Sequence, residues 1–126
     1  MLKAKDIMTE NVLTISPEAT LADVIELLIA KKISGMPVID AAEKMIGIIS
    51  EKDILNFAFS GNIHNTKVRE AMTEKVVSFP PDSDADKISL AISENKFRRV
   101  PIIEDGKVVG IVSRRDIIRI LLSRQK

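Results

Sequence analysis

The stretch Gly47-Ile48-Ile49-Ser50-Glu51-Lys52-Asp53-Ile54 returns further along the chain as Gly110-Ile111-Val112-Ser113-Arg114-Arg115-Asp116-Ile117. Each copy joins two signals. A glycine followed by two β-branched residues reads as the end of a strand. A serine with an aspartate three residues on reads as a helix start, with Ser at the N-cap and Asp in the first turn. A strand that runs directly into a helix, and does so twice, predicts a chain made of two copies of one mixed unit.

The repeat extends outward from these blocks. At a displacement of 64 residues, Met8-Thr9-Glu10 falls on Met72-Thr73-Glu74, Val12 on Val76, Pro17 on Pro81 and Pro37 on Pro101. Beyond the second proline of each copy the displacement is 63. The lost residue falls where Asp40-Ala41-Ala42-Glu43-Lys44 faces Glu104-Asp105-Gly106-Lys107. Both read as hairpin turns, where a length change is tolerated.

In the first copy Val12–Ile15 reads as a short strand ending at Ser16-Pro17. Leu21, Val24, Ile25 and Leu28 then form a helical stripe, with Thr20 and Asp23 as its capping box. Met36–Ile39 and Met45–Ile49 are two strands, and a helix after Ser50 is expected to turn Ile54, Leu55 and Phe59 inward. The second copy repeats this with Val76–Phe79, a helix carrying Ile88, Ala91 and Ile92, strands Val100–Ile103 and Lys107–Val112, and a helix carrying Ile117, Ile120 and Leu121. Pro37 and Pro101 lack a backbone donor and suit strand starts or edges.

The expected fold class is α/β (α+β), two β-α-β-β-α repeats with a three-stranded sheet each, packed with pseudo-two-fold symmetry. The expected division is 1–60 for the first repeat, 61–67 for a linker and 68–126 for the second. A unit of about 60 residues buries too little surface to stand comfortably alone, so the two form one compact module.

Composition narrows the classes. The chain has 126 residues, 45% apolar, with four Phe as its only aromatics. Ile, Val and Leu must therefore fill the core. No apolar run approaches the roughly 20 residues of a membrane span, and the start MLKAKDIMTE has no apolar signal region. With no Cys there are no disulfides or thiolate metal sites, and the expectation is a cytoplasmic protein. The single histidine, His64, falls in the linker, so neither a transition-metal site nor a His-dependent catalytic triad is expected. The chain is read as a binding protein and not an enzyme.

Charge is unevenly distributed. Residues 1–63 hold six Lys, no Arg and nine acids, whereas residues 64–126 hold thirteen basic and nine acidic residues, including all seven Arg. The net charge of +1 singles out no partner, but guanidinium forks suit phosphate oxygens.

The two Gly-x-x-Ser-x-x-Asp blocks can carry chemistry. A serine at a helix N-terminus stands among unpaired N–H groups that favour anions or polar ligand atoms. The carboxylate of Asp53 or Asp116, one turn in, can accept both hydroxyls of a ribose. Ile48 and Ser50 alternate by two and share a strand face, as do Ile111 and Ser113. Such a face offers a purine an apolar wall beside a polar contact. The same Ser-x-x-Asp spacing is also an ordinary capping box, and the residues alone leave both readings open.

Lys5-Asp6-Ile7-Met8-Thr9, Thr14-Ile15-Ser16-Pro17, Gly35-Met36-Pro37-Val38-Ile39 and the two Gly-x-x-Ser-x-x-Asp-Ile blocks together resemble a tandem CBS-domain pair, often called a Bateman module. The resemblance covers nearly the whole chain and leaves no appended catalytic or DNA-binding domain, so a stand-alone pair is expected. It implies two symmetry-related clefts that bind an adenosine derivative: AMP, ADP, ATP or S-adenosylmethionine. It implies that Asp53 and Asp116 hold ribose, that Ser50 and Ser113 stand by ribose and phosphates, and that Ile48 and Ile111 line the base. Each cleft would borrow from the opposite repeat: Thr14, Ala19, Ser34 and Met36 for Asp116, and Ser78, Ser83, Arg98 and Val100 for Asp53. Residues preceding the proline strand can face phosphate; they are Arg98-Arg99 in the second repeat but Ser34-Gly35 in the first. No further cofactor is expected.

The function that follows is an adenosine-nucleotide sensor that signals to a partner protein, itself unidentified, and associates as a homodimer. The alternative is a nucleic-acid-binding module using the Arg-rich second repeat. The near-neutral net charge and the scarcity of aromatics for base stacking count against it.

Overall fold

The computed structural model describes residues 1–57, 59 and 61–124. Ser60 and Lys126, where the two expected repeats end, lie outside the described residues. The elements in chain order are α1 (Ala4–Ile7), α2 (Leu21–Lys31), β1 (Gly35–Ile39), β2 (Met45–Ser50), α3 (Glu51–Asn56), α4 (Val68–Ala71), α5 (Ala85–Asn95), β3 (Arg99–Glu104), β4 (Lys107–Ser113) and α6 (Arg114–Arg124). The chain is thus a mixed α/β protein with two small sheets. Among the described residues no helix is long and apolar enough to cross a membrane.

Two compact units form, Leu13–Val76 and Met1–Val12 together with Val77–Lys126. Each unit in space includes the segment that opens the other sequence repeat, residues 68–76 in the first and 1–12 in the second. In the Leu13–Val76 unit, Val24 and Leu28 on one face of α2 pack with Met36, Val38 and Ile49 of the sheet and with Val68 and Ala71 of α4. In the other, Ile88 and Ile92 of α5 pack with Val100, Ile102 and Val112 and with Ala4 of α1. Many core positions correspond through the repeat, Val24 with Ile88, Leu28 with Ile92, Met36 with Val100, Val38 with Ile102 and Ile49 with Val112, which is why the apolar spacing reads the same twice.

The helix starts follow from their caps. Thr20 Oγ1 accepts from Asp23 N–H at 3.2 Å and the Asp23 carboxylate accepts from Thr20 N–H at 3.0 Å. The segment before α4 supplies the remaining acceptors: Leu21 N–H donates to the Thr66 carbonyl at 2.9 Å and Ala22 N–H to that of Ile63 at 3.0 Å. Every early N–H of α2 named here is therefore satisfied. In the second hairpin Asp105 and Gly106 both have positive φ, 54° and 81°. That is the two-residue turn the Asp-Gly pair favours.

The sheets are smaller than expected. β1 pairs with β2 and β3 with β4, each as an antiparallel two-stranded sheet. The expected strands Val12–Ile15 and Val76–Phe79 reduce to single parallel bridges, Ile15 to Val38 and Phe79 to Ile102. Pro17 and Pro80-Pro81 follow within two residues and stop the ladder from continuing. The opposite edge gains a bridge absent from the sequence reading: Ile48 exchanges two hydrogen bonds with Thr73, at 2.9 and 2.8 Å, and Ile111 exchanges two with Thr9, at 3.0 and 2.8 Å.

These outward bonds explain the prolines. Pro37 lies opposite Ile48 and Pro101 opposite Ile111. Because Ile48 and Ile111 turn their main-chain groups to Thr73 and Thr9, the proline nitrogens face no waiting acceptor in the ladder.

The last helix of each repeat also differs from expectation. Ile54 and Ile117 pack toward the cores. Leu55, Phe59 and Leu121, expected to face inward, are exposed, as are Ile118 and Leu122. α3 ends at Asn56, too short for the stripe to continue to Phe59.

Candidate functional site

Each unit carries one strand–helix junction at which the expected polar residues meet. In the first, Ser50 ends β2 with extended backbone (φ −131°, ψ 171°) and caps α3. Asp53 lies in the first turn and is only 6% exposed. Its Oδ2 accepts from Ser50 N–H at 2.8 Å and from Ser50 Oγ–H at 3.0 Å. Its Oδ1 accepts from Thr73 Oγ–H at 2.9 Å.

The second junction repeats the pattern. Asp116 Oδ2 accepts from Ser113 N–H at 2.8 Å and Ser113 Oγ–H at 2.9 Å, and Asp116 N–H donates to Ser113 Oγ at 3.1 Å. The hydroxyl of Thr9 lies 3.5 Å from Asp116 Oδ1, at the limit of a hydrogen bond. Arg119 Nη1 lies 3.7 Å from the same oxygen. Its counterpart after Asp53 is Asn56, so only the second carboxylate has this cation one turn along its own helix.

The capping box and a ligand site are therefore built from the same atoms. The box fixes each carboxylate's rotamer and neutralises part of the cost of its burial. It also holds each serine hydroxyl at a helix start, where N–H groups gather.

The glycines opening each block make room for the Met-Thr segments that lie against them. A Cβ on Gly47 would stand 2.8 Å from the Thr73 carbonyl oxygen and 3.0 Å from Met72 Sδ. One on Gly110 would stand 2.4 Å from Met8 Sδ and 2.7 Å from its Cγ. Neither glycine has positive φ; the requirement is close approach. That approach brings Thr73 to Asp53 and Thr9 toward Asp116.

The other sequence-derived residues fall as follows. In the Leu13–Val76 unit, Ile48, Ser50, Thr14, Ala19 and Ser34 are half-buried. Ser34 is tied to the junction because its carbonyl accepts from Glu51 N–H at 3.0 Å. Ala19 accepts at its carbonyl from Val68 N–H at 2.8 Å, which fastens the turn before α2 to α4. Met36 is fully buried in the apolar core.

In the other unit Ile111, Ser113, Asp116, Ser83 and Arg99 are half-buried, while Ser78 and Arg98 are exposed. The Arg98 carbonyl accepts from Arg114 N–H at 3.0 Å. Arg99 lies directly across the sheet from Ser113, where the first unit has Gly35 across from Ser50. Val100, like Met36, is a core residue.

Thr9 and Thr73 have no role in the sequence reading. The repeated Met-Thr-Glu triplets are the signal that could have pointed to them.

The residues can take a polar ligand with vicinal hydroxyls and an anionic group. The carboxylates accept, the helix N-termini and Arg99 donate, and Ile48 and Ile111 supply apolar surface on the same strand faces.

Comparison with known proteins finds the same duplication. The family model described as CBS domain matches the chain twice, over residues 4–60 and 68–123. An uncharacterised protein of Methanocaldococcus jannaschii is 27% identical over 117 residues, which cover 93% of this chain and 42% of that protein. An inosine-5′-monophosphate dehydrogenase of the same organism is 30% identical over 118 residues, covering 93% of this chain and 23% of the enzyme. The chain thus spans less than half the length of these curated relatives. Among solved structures, CBSX2 in complex with AMP superposes with a TM-score of 0.92 at 28% identity, covering 100% of both chains; CBSX2 is a protein of Arabidopsis thaliana. The CBS domain pair of protein MJ0100, in complex with 5′-methylthioadenosine and S-adenosyl-L-methionine, superposes with a TM-score of 0.87 at 28% identity, covering 100% of this chain and 99% of that one.

Proposed function

The chain belongs to the CBS-domain family, and from that premise we propose that it is a regulatory module that binds an adenosine nucleotide at Asp53 and Asp116 and signals its presence to a partner protein. One observation carries the proposal: at both strand–helix junctions a carboxylate is held by its own serine beside a helix N-terminus. Such a carboxylate offers acceptors to ribose hydroxyls, and the helix N–H groups beside it offer donors to phosphate. The AMP and S-adenosyl-L-methionine complexes of its structural relatives support the adenosine class.

In this reading Ile48 and Ile111 border the base, with Thr14, Ala19, Ser78 and Ser83 completing the polar and small surfaces around it. Met36 and Val100, whose side chains are closed off in the cores, back the strands that carry this surface. Arg99, across from Ser113, and Arg98 beside it are assigned to the Asp116 junction of their own repeat, not to Asp53 where the resemblance puts Arg98, and there they favour phosphate. Tighter nucleotide binding is assigned there, since a hydrogen bond to a charged group contributes about 1.5–3 kcal/mol. Ser34 and Gly35 provide no such charge at Asp53.

Signalling requires the ligand to bind two states of the module differently. A second copy of the chain is assigned to the exposed apolar residues Leu55, Phe59, Ile118, Leu121 and Leu122, as patches of that kind mark interfaces. The nucleic-acid reading rests on the charge of the second repeat alone.

A thermal-shift panel of AMP, ADP, ATP, S-adenosylmethionine and guanosine nucleotides tests the proposal. A ligand at 100 times its Kd adds about 2.7 kcal/mol, on the order of 10 °C in Tm for a domain near this size. A rise with one or more adenosine compounds is expected; no rise with any of them contradicts the proposal.

A further inference from the structure

Asp53 and Asp116 occupy equivalent places in the repeat but are not equally open to a diol. An ionised carboxylate accepts at about four lone-pair positions. Among the described residues, three donors reach Asp53: two from Ser50 on Oδ2, and the Thr73 hydroxyl on Oδ1 at 2.9 Å. One position remains, on Oδ1, whereas a ribose presents two hydroxyls. At Asp116 the Oδ2 pair is the same, but Oδ1 faces only long contacts, the Thr9 hydroxyl at 3.5 Å and Arg119 Nη1 at 3.7 Å, so no short hydrogen bond occupies it.

The three donors to Asp53 also differ in where they come from. Ser50 is half-buried and is the cap of Asp53's own helix. Thr73 is exposed and comes from the segment bridged to Ile48. Thr73 can rotate its hydroxyl away without undoing a helix cap.

Resting on the nucleotide-binding proposal above, we infer that Thr73 is a specificity-determining residue: its hydroxyl competes with the ribose diol for Asp53 Oδ1 and weakens nucleotide binding at that junction, while Thr9 exerts much less competition at Asp116. The contact is a charge-assisted hydrogen bond that the diol must displace. Its removal in the ligand-free protein therefore favours the bound state.

The test isolates each junction by calorimetric titration of AMP and 2′-deoxy-AMP. In an Asp116→Ala background, Thr73→Val is expected to tighten AMP binding about tenfold, the scale of one hydrogen bond to a charged group. Thr73→Ser, which keeps the hydroxyl, is expected to bind like the background. With both acceptor positions open, Thr73→Val also gains preference for AMP over 2′-deoxy-AMP, which the background lacks; a merely structural residue would not move that ratio. In an Asp53→Ala background, Thr9→Val is expected to gain less than about threefold. Should Thr73→Val melt below the assay temperature, Thr73→Ala gives the same readout without the branched side chain. Unchanged or weakened AMP binding in the hydroxyl-free variant, or equal gains from Thr73→Val and Thr9→Val, overturns the inference while leaving the nucleotide-binding proposal intact. Failure of the parent chain to bind AMP or any other adenosine compound removes both.

Discussion

Adding one methyl group at Gly47 or at Gly110 probes how tightly the Met-Thr segments are held against the sheets. The nearest approach is shorter at Gly110, 2.4 Å against 2.8 Å, yet Gly47→Ala is expected to be the costlier change. At Gly47 the new Cβ meets the Thr73 carbonyl oxygen, and that oxygen accepts from Ile48 N–H while Thr73 N–H donates back to Ile48. The carbonyl can retreat only by loosening this pair of bonds, each contributing about 0.5–1.5 kcal/mol. Overpacking adds about 1–3 kcal/mol, and the reduced freedom of the unfolded chain offsets about 0.4–1 kcal/mol. A net loss of about 2–3 kcal/mol follows, or roughly 8–12 °C in Tm at about 4 °C per kcal/mol. At Gly110 the methyl meets Met8 Sδ, Cγ and Cβ, with no main-chain atom among the three nearest; a rotamer change moves the first two, and the third, at 3.0 Å, need give only slightly. About 1 kcal/mol and 4 °C are expected there. Urea unfolding followed by circular dichroism, with m unchanged, measures both. If Gly110→Ala costs as much as Gly47→Ala, or both are neutral, the pinned-carbonyl explanation is wrong.

The lysine–aspartate pairs and the exposed apolar helices give two further expected outcomes. Lys3 Nζ pairs with Asp84 Oδ1 at 2.6 Å and Lys5 Nζ with Asp82 Oδ1 at 2.9 Å; hydrogen bonding to these lysines holds both carboxyls below the usual Asp value, and both lysines are raised above theirs. Depressed carboxyls stabilise above the ordinary Asp value and lose that contribution as pH falls through the folded value, whereas the raised lysines lose theirs only as pH rises past the folded Lys value. The difference in urea midpoint between parent and Asp84→Asn is therefore expected to be small, constant over about pH 5–9, and to vanish in acid; a difference that persists at about pH 2 rejects the pairing as its source. Light scattering at micromolar concentration is expected to give twice the chain mass, and Leu55→Glu with Leu122→Glu to halve it, while a parent that is already monomeric excludes a second copy as the cover of those helices.

What was legible in the sequence was what is local. The Thr20–Asp23 and Ser113–Asp116 boxes, the Asp105-Gly106 turn and the apolar stripes of α2 and α5 depend on neighbours within a few residues, so their spacing reveals them. The repeat then doubled each signal. What escaped depends on distant partners. Val12–Ile15 has strand composition, but strand length is set by what lies beside it, and only Ile15 finds a ladder partner. Leu55, Phe59 and Leu121 fit an apolar pattern that does not say which side of a short helix is covered. Met1–Val12 joins the unit containing Val77–Lys126, a placement no local pattern encodes. Thr73 illustrates the same limit at the site: its triplet was visible as a repeat, but its bond to Asp53 spans 20 residues.

In the proposed function the two carboxylates hold an adenosine nucleotide. Calorimetric titration of AMP, or of whichever adenosine compound gives the largest thermal shift, into the parent, Asp53→Ala, Asp116→Ala and the double variant tests it most directly. Binding by the parent, a weaker residual site in Asp116→Ala than in Asp53→Ala, and no binding by a folded double variant is the predicted result; undiminished binding by the double variant would contradict it.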